Sequence, residues 1–423
     1  MSLERPRLRR LDSFPINQSS GEVVFVLRDP EGFGNSVVLP HSAAMLASLM
    51  DGSRTLGELA SAFEARTRQL VDLADIEQLV HDLDDRMLLD TPRFRARWKQ
   101  ELEIFLNSKT RPAVHAAKAY PADPQALRAE LTALFTTGKG PGAPGDPPAD
   151  GTAAAGLVGI LSPHIDLHRG GPTFAWSYKR LVEESNAELF VIFGTAHAPM
   201  SNLFSVTRKD FETPLGTVET DRQLAARLTA NLAATPGGAE LNLAADELVH
   251  RYEHSLEFQA VFLQFLFGER RPFKILPVLV GSFHQFMRDG TSPIDSPAVR
   301  AFVAAMRKTL EAHGKRVCYI SSGDLAHIGQ RFGDRSLLNA ARLERLTADD
   351  KALLEDICRP SANAMFEHVA GENDANRVCG VSPTYMMLEV ARPTRGELLK
   401  YDQAVELDGT SCVSFASAAF YDK

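Results

Sequence analysis

The chain has 423 residues, 44% of them hydrophobic and 24% charged, an ordinary globular balance with material for two or three domains. Its formal net charge of -8 argues against a surface built to coat nucleic acid. No apolar run approaches the roughly 20 residues that cross a bilayer. The basic start MSLERPRLRRLDSF has no apolar stretch of a secretory signal. The four cysteines, at 318, 358, 379 and 412, lack paired spacing and fit a reduced compartment. The expectation is a cytoplasmic chain with no membrane or nucleic-acid partner.

The first elements are short. GEVVFVLRDPEGFGNSVVLP places two β-rich runs around DPEGFGN, which predicts a hairpin. HSAAMLASLMDG has helical apolar spacing and stops at Gly52. In SRTLGELASAFEAR, Ser53 or Thr55 can cap a helix with Leu56, Leu59 and Phe63 on one face. DIEQLVHDLDDRMLL predicts a third helix through Ile76, Leu79, Val80, Leu83 and Leu88. Together these predict a small winged-helix-like α+β domain over residues 1–91, and the acidic DLDD run breaks up any basic recognition face. Residues 92–135 read as charged helix. TTGKGPGAPGDPPADGT then reads as flexible chain, so 92–152 is expected to be a linker.

From residue 153 to 423, apolar runs alternate with helical patterns. Strands are expected at 156–162, 188–194, 203–208, 274–281, 316–322 and 411–421. Helices lie between them, one with Pro172 in its first turn and one ending at Gly314. The alternation predicts a three-layer α/β domain.

Reactive side chains follow several of these runs, where open α/β sheets bind ligands. LSPHIDLHRGG carries His164, Asp166 and His168 at two-residue spacing, which an extended backbone would put on one face. VIFGTAHAP carries His197. RYEHSLEFQ opens an apolar helix with Glu253, His254 and Glu257. Its carboxylates suit either helix capping or the orientation of a histidine ligand. SSGDLAHIG holds Asp324 three residues before His327, a spacing that suits an orienter and a general base, or a cap and a surface histidine. RVCGVSP puts Cys379 in a turn before a helix, where a thiolate has a lowered pKa. The chain has no G-x-S-x-G, P-loop or G-x-G-x-x-G motif, which argues against hydrolase, NTPase and dinucleotide-binding folds of those types.

The ordered motifs PHIDLHRGG, FGTAHAP, EHSLEFQAVFLQ, ILPVLVG, SSGDLAHIGQRFGD, VCG and SFASAAFY resemble the Memo family, including AmmeMemoRadiSam system protein B. That family is similar in fold to the class III extradiol dioxygenases, which use non-haem iron. The resemblance implies a metal site of His164, His197 and Cys379, with Asp324 and His327 as acid/base groups beside it. Asp166, His254 and Glu257 would surround the ligands. A cysteine where the dioxygenases have a carboxylate favours a softer metal. By softness alone that cysteine favours copper(I) or zinc; with the resemblance, iron or copper is expected, with zinc as the other candidate.

The sequence departs from the family at IDLHRGG after the first histidine and at Ala198 after the second. The resemblance also implies radical SAM and AMMECR1-like partners. VVLPHSAAMLASLMDGSRTLGELASAFEA and LVHDLDDRMLLD resemble the PqqD-like, or RiPP-recognition-element-like, family. This implies a peptide or protein bound by the N-terminal domain. Three functions stay open: a metal-dependent oxidoreductase, a binding module on a dioxygenase-like fold that turns nothing over, and a zinc hydrolase.

Overall fold

The computed structural model describes residues 3–17, 23–29, 33–148 and 156–422. The chain divides into two compact units, Met1–Asn107 and Ser108–Lys423.

In the first unit, β1 (Asp12–Asn17), β2 (Val23–Arg28) and β3 (Val37–Pro40) form an antiparallel sheet in that order. β2 and β3 are the two arms of the expected hairpin, whose residues 30–32 lie outside the described ones. β1 was not anticipated. Its Pro15 donates no ladder hydrogen bond, which an edge strand tolerates.

Four helices follow: α1 (His41–Ser48), α2 (Leu56–Thr67), α3 (Leu73–Asp85) and α4 (Pro92–Asn107). Thr55, rather than Ser53, caps α2, in a reciprocal box with Glu58. Leu59, Phe63, Ile76, Val80 and Leu83 share one core with Leu27 and Leu39 of the sheet. Arg9 pairs with Asp29 at 2.9 Å and lies over the Phe94 ring at 3.8 Å, which joins α4 to this unit.

The second unit opens with β4 (Thr110–Arg111) and α5 (Pro124–Thr136). The stretch expected to be a linker over 92–152 is therefore divided: α4 packs with the first unit, and β4 and α5 with the second. The Gly/Pro-rich run is also tied down where it is described. The Trp176 indole donates to Lys139 O (3.0 Å), Lys179 Nζ to Ala143 O (2.7 Å), and Gly145 N to the Glu183 carboxylate (2.7 Å). These contacts satisfy backbone groups that a Gly/Pro sequence cannot pair within itself.

The chain continues through β5 (Leu157–Ser162), α6 (Leu167–Glu184), β6 (Leu189–Thr195), β7 (Phe204–Val206), β8 (Asp210–Thr213), β9 (Gly216–Val218) and α7 (Arg222–Ala233). Next come α8 (Val249–Tyr252), α9 (His254–Phe267), β10 (Lys274–Val280), α10 (His284–Asp289), α11 (Pro297–Glu311), β11 (Val317–Ser322) and β12 (His327–Ile328). It ends with α12 (Ala340–Cys358), α13 (Ala362–Gly371), α14 (Val381–Ala391), β13 (Arg395–Val405) and β14 (Cys412–Tyr421).

The main sheet has the order β12-β14-β5-β11-β6-β10-β7, with β13 on β14; β4, β8 and β9 form a second sheet. β5, β11, β6 and β10 are mutually parallel. β6 shows why these runs are continuously apolar. Leu189, Val191 and Phe193 enter a core with α7, α11, α13 and α14, while Phe190 and Ile192 enter another with α5, α6 and α9. Parallel strands also send their following loops to one end of the sheet, which gathers the loops after β5, β6 and β11.

Two local expectations change. α6 starts at Leu167, so Pro172 lies inside the helix and not in its first turn. β13, with mixed charged and apolar residues, had no clear strand signal.

The first unit's core predicts a measurable contrast. Leu83 is fully buried and Leu70 is 85% exposed. Leu83→Ala is expected to destabilise the unit by about 2–5 kcal/mol, and Leu70→Ala by no more than about 0.5 kcal/mol. Trp98 lies in this unit, so urea unfolding followed by its fluorescence in a Trp176→Phe background reads the difference.

Candidate metal centre

His164 follows β5 and is buried. Its backbone N–H and that of Ile165 both donate to Asp324 Oδ1, at 2.9 and 3.2 Å. Its ring Nδ1 lies 3.1 Å from Ser322 O. A carbonyl only accepts, so the proton sits on Nδ1 and the Nε2 lone pair is an acceptor. That Nε2 is 3.3 Å from Cys379 Sγ. Burial, reinforced by His197, pushes the His164 pKa down to about 3, so the ring is neutral at pH 7.

His197 follows β6 and is held by one carboxylate. Glu253 accepts from His197 N (2.8 Å) and faces His197 Nδ1 (2.9 Å), while it also caps α9 through Ser255 N (3.0 Å). The His197 side chain is 40% exposed; desolvation by its neighbours works against the charged imidazole, but Glu253 and the Cys379 sulfur outweigh it and hold the His197 pKa well above the ordinary value. Burial likewise opposes the Glu253 carboxylate, and His197 outweighs it, so Glu253 is held well below the usual range.

His254 adds a third imidazole. Its ring lies 4.6 Å from that of His197, nearly stacked, and 5.2 Å from that of His164. Burial and the His197 charge drive its pKa well down.

Cys379 reaches the same place through a close backbone approach. A Cβ on Gly323 would lie 2.5 Å from Gly380 Cα, so neither the loop after β11 nor the Cys379 turn has room for a side chain there. Gly380 N donates to Asp324 O (2.9 Å) and Thr195 Oγ1 to Cys379 O (3.1 Å). The turn does precede α14, but burial pushes the Cys379 thiol up, with the His197 hydrogen bond pulling the other way. The lowered pKa expected from the helix start is thus overturned by desolvation.

His327 lies on β12, where its N donates to Asn376 O at 2.8 Å. Its Nδ1 is 3.3 Å from both Leu325 O and Arg377 O, so backbone carbonyls orient the ring. Asp324 acts on it as a neighbouring charge, which partly offsets the burial that lowers its pKa. Asp324 itself is raised by burial.

Donor atoms of His164, His197 and His254 lie within 4.8 Å of one another, as do those of His164, Asp324 and Cys379. His164 belongs to both groups. Two of the expected surrounding residues are elsewhere. Asp166 sits at the N-cap of α6 and pairs with Arg169 at 2.7 Å, because the chain turns helical at Leu167 before the two-residue spacing can act. His168 is exposed on that helix. Glu257 faces away from the imidazoles and pairs with buried Arg111, while also accepting from Tyr120 and from His115 N (3.0 Å).

Sequence reasoning passed over Glu253 as the carboxylate on His197, although its place just before His254 marks it as an N-cap. It also passed over Arg111, His115 and Tyr120. Arg111 donates to His250 O and Glu253 O, both at 2.9 Å, and the His115 ring is 5.8 Å from that of His254. The sequence reads this run as part of a charged helix over 92–135, whereas residues 108–123 lie between α4 and α5 and include β4.

Residues 111–419 match the family model described as Memo-like protein. The MEMO1 family protein of Aquifex aeolicus is 28% identical over 420 residues, which cover 99% of this chain and 100% of that protein. A MEMO1 family protein of Methanosarcina barkeri is 30% identical over 301 residues, 70% of this chain and 94% of that protein. One from Methanopyrus kandleri is 30% identical over 315 residues, 73% of this chain and 98% of that protein.

The His197–Glu253 pair predicts a pH dependence. Its stability contribution is lost as pH falls through the depressed Glu253 pKa, and lost again as pH rises through the elevated His197 pKa. Glu253→Gln removes the attraction and leaves the burial penalty. NMR titration of the histidines in metal-free protein is expected to show His197 charged at pH 7 in the parent and neutral in the variant. An unchanged His197 titration would assign the elevated pKa to another group.

Proposed function

The chain belongs to the Memo-like protein family, and we propose that its second unit is a metal-dependent redox protein. In this reading the fold is a three-layer α/β/α sandwich related to the class III extradiol dioxygenases, and His164, His197 and Cys379 hold iron or copper. The observation that carries the reading is the Nε2 lone pair of buried, neutral His164, 3.3 Å from Cys379 Sγ, with the neutral His254 ring 5.2 Å from its own. Neutral nitrogen and sulfur donors of this kind suit late or borderline transition metals.

A bound iron or copper ion would supply one-electron chemistry at the site, whereas zinc would supply Lewis acidity. The chain's own residues have separate tasks. Ser322 O fixes the tautomer of His164 and Glu253 orients the His197 ring, as carbonyl and carboxylate partners do for histidine ligands. His327 is neutral at pH 7 and ready to take a proton on Nε2, since its Nδ1 faces carbonyls. Asp324 holds the His164 backbone and favours the charged form of His327.

Metal analysis of protein purified without oxygen tests this. Near-stoichiometric iron or copper is expected in the parent, and loss of most of it in His164→Ala and Cys379→Ala. Tight zinc without a redox response would favour a hydrolase. A parent that neither retains nor takes up metal would favour a binding module without turnover.

The first unit, in this reading, is a PqqD-like docking domain, and radical SAM and AMMECR1-like proteins act with the chain. The relative from Aquifex aeolicus spans this unit as well, which supports a role for it beside the second. Co-expression with a radical SAM partner is expected to give capture by the whole chain and none by a chain lacking residues 1–107. Equal capture by both would rule out the docking role.

A further inference from the structure

The segment before Cys379 is the most strained stretch of the described chain. Among the described residues seven non-glycine residues have positive φ, and three of them fall within five positions of this segment: Asn373 (50°), Asp374 (47°) and Arg377 (54°). Asn and Asp adopt left-handed backbone more readily than other side chains, whereas Arg377 persists there only where surrounding contacts impose it. The contacts are visible.

Asp374 is buried, and each of its carboxylate oxygens has one partner. Oδ1 accepts from Val378 N at 2.7 Å, and Oδ2 faces His284 Nε2 at 2.6 Å. On the other side of the ring, His284 Nδ1 lies 2.8 Å from Ser282 Oγ, in the loop between β10 and α10. The carboxylate accepts from Nε2–H, and in the neutral ring Nδ1 then accepts from the serine hydroxyl. The segment also touches His327 directly: Asn376 O accepts from His327 N (2.8 Å), and Arg377 Nε donates to His327 O (3.0 Å). Arg377 further pairs with Asp334, and Arg342 with Asn376. One short loop therefore carries backbone contacts to His327 and leads, through the Val378 amide that Asp374 holds, straight into Cys379.

We propose that Asp374 and His284 are positioning residues: they clasp the 373–378 loop so that the Cys379 thiol and the His327 ring keep their places in the candidate centre. The role of Cys379 as a ligand rests on the function proposed above, whereas the clasp itself does not. Neither residue touches the reacting position. They act through the Val378 amide and the loop backbone, and the Asp374 hydrogen bond that raises the His284 pKa is the same contact that closes the clasp.

The test has two readouts on the whole chain. The first is alkylation of Cys379 by iodoacetamide in metal-free protein, followed by mass spectrometry. The second is titration with Co²⁺, which reports a bound thiolate by its charge-transfer band. Asp374→Asn and His284→Ala are expected to speed Cys379 alkylation at least fivefold and to weaken Co²⁺ binding about 10–100-fold, as loss of ligand-orienting partners does. His284→Gln keeps an N–H that can reach Asp374 and should restore part of both.

The control is Asp356→Asn, which breaks a similar pair with His368 (2.8 Å) between α12 and α13 and should change neither readout. The His284 ring is 62% exposed, so His284→Ala should fold even if Asp374→Asn does not. Alkylation within twofold of the parent in His284→Ala would overturn the proposal. If the parent itself fails to bind Co²⁺, the metal reading falls while the alkylation rates still decide the clasp.

Discussion

The candidate centre depends on one buried carboxylate. Glu253 has almost no access to water, and an unpartnered charge there would cost several kcal/mol (about 3–5 when one member of a buried pair is removed). It is therefore fully engaged. It caps α9, takes two N–H groups of His197 and lies 3.3 Å from His254 Nδ1. Its backbone carbonyl is gripped in turn by Arg111, whose own charge is answered by Glu257. In this cluster Glu253 meets His197 and Arg111 meets Glu257, and each pairing fixes a backbone segment. The loop after β6, the start of α9 and the 108–120 segment thus hold one another, and the imidazoles are placed as a consequence.

Around that pair the pocket avoids charge. Burial keeps His164, His254 and His327 neutral, raises Asp324 and raises the Cys379 thiol. Only His197 and Glu253 are driven into their ionised forms, and they neutralise each other. In the proposed function, metal uptake would exchange the thiol proton and the second His197 proton for the ion. Affinity would then rise with pH, as for any site whose ligands must be deprotonated.

The legibility of the sequence followed the range of the contacts. β5, β6, β10 and β11 were readable because strands covered on both faces are continuously apolar. His164, His197, Asp324 and Cys379 were readable because three of them end such strands and the fourth opens a helix. The choice between Glu253 and Glu257 turned on where α9 begins, a matter of one residue, and the i,i+3 relation to His254 favoured the wrong carboxylate. Asp166 failed for a similar reason, since helix replaced extended chain after it. Arg111 was beyond local reading: apart from Pro112 O, its partners lie 139–146 residues away.

Cys379 takes on a physical meaning in this setting. A carboxylate in its place would stand beside Asp324 in a pocket that already penalises negative charge, and two such groups cannot both ionise cheaply. One would stay protonated, or the loop would move to hydrate it. A thiol escapes this conflict. It packs as a small apolar group while it holds its proton, and becomes an anionic, soft donor only when a cation takes the proton's place. The strained 373–378 loop then has a plain role. A neutral thiol exerts little electrostatic pull on its surroundings, so the backbone, through Asp374 and the Gly323–Gly380 approach, must bring the sulfur to His164 before any metal does.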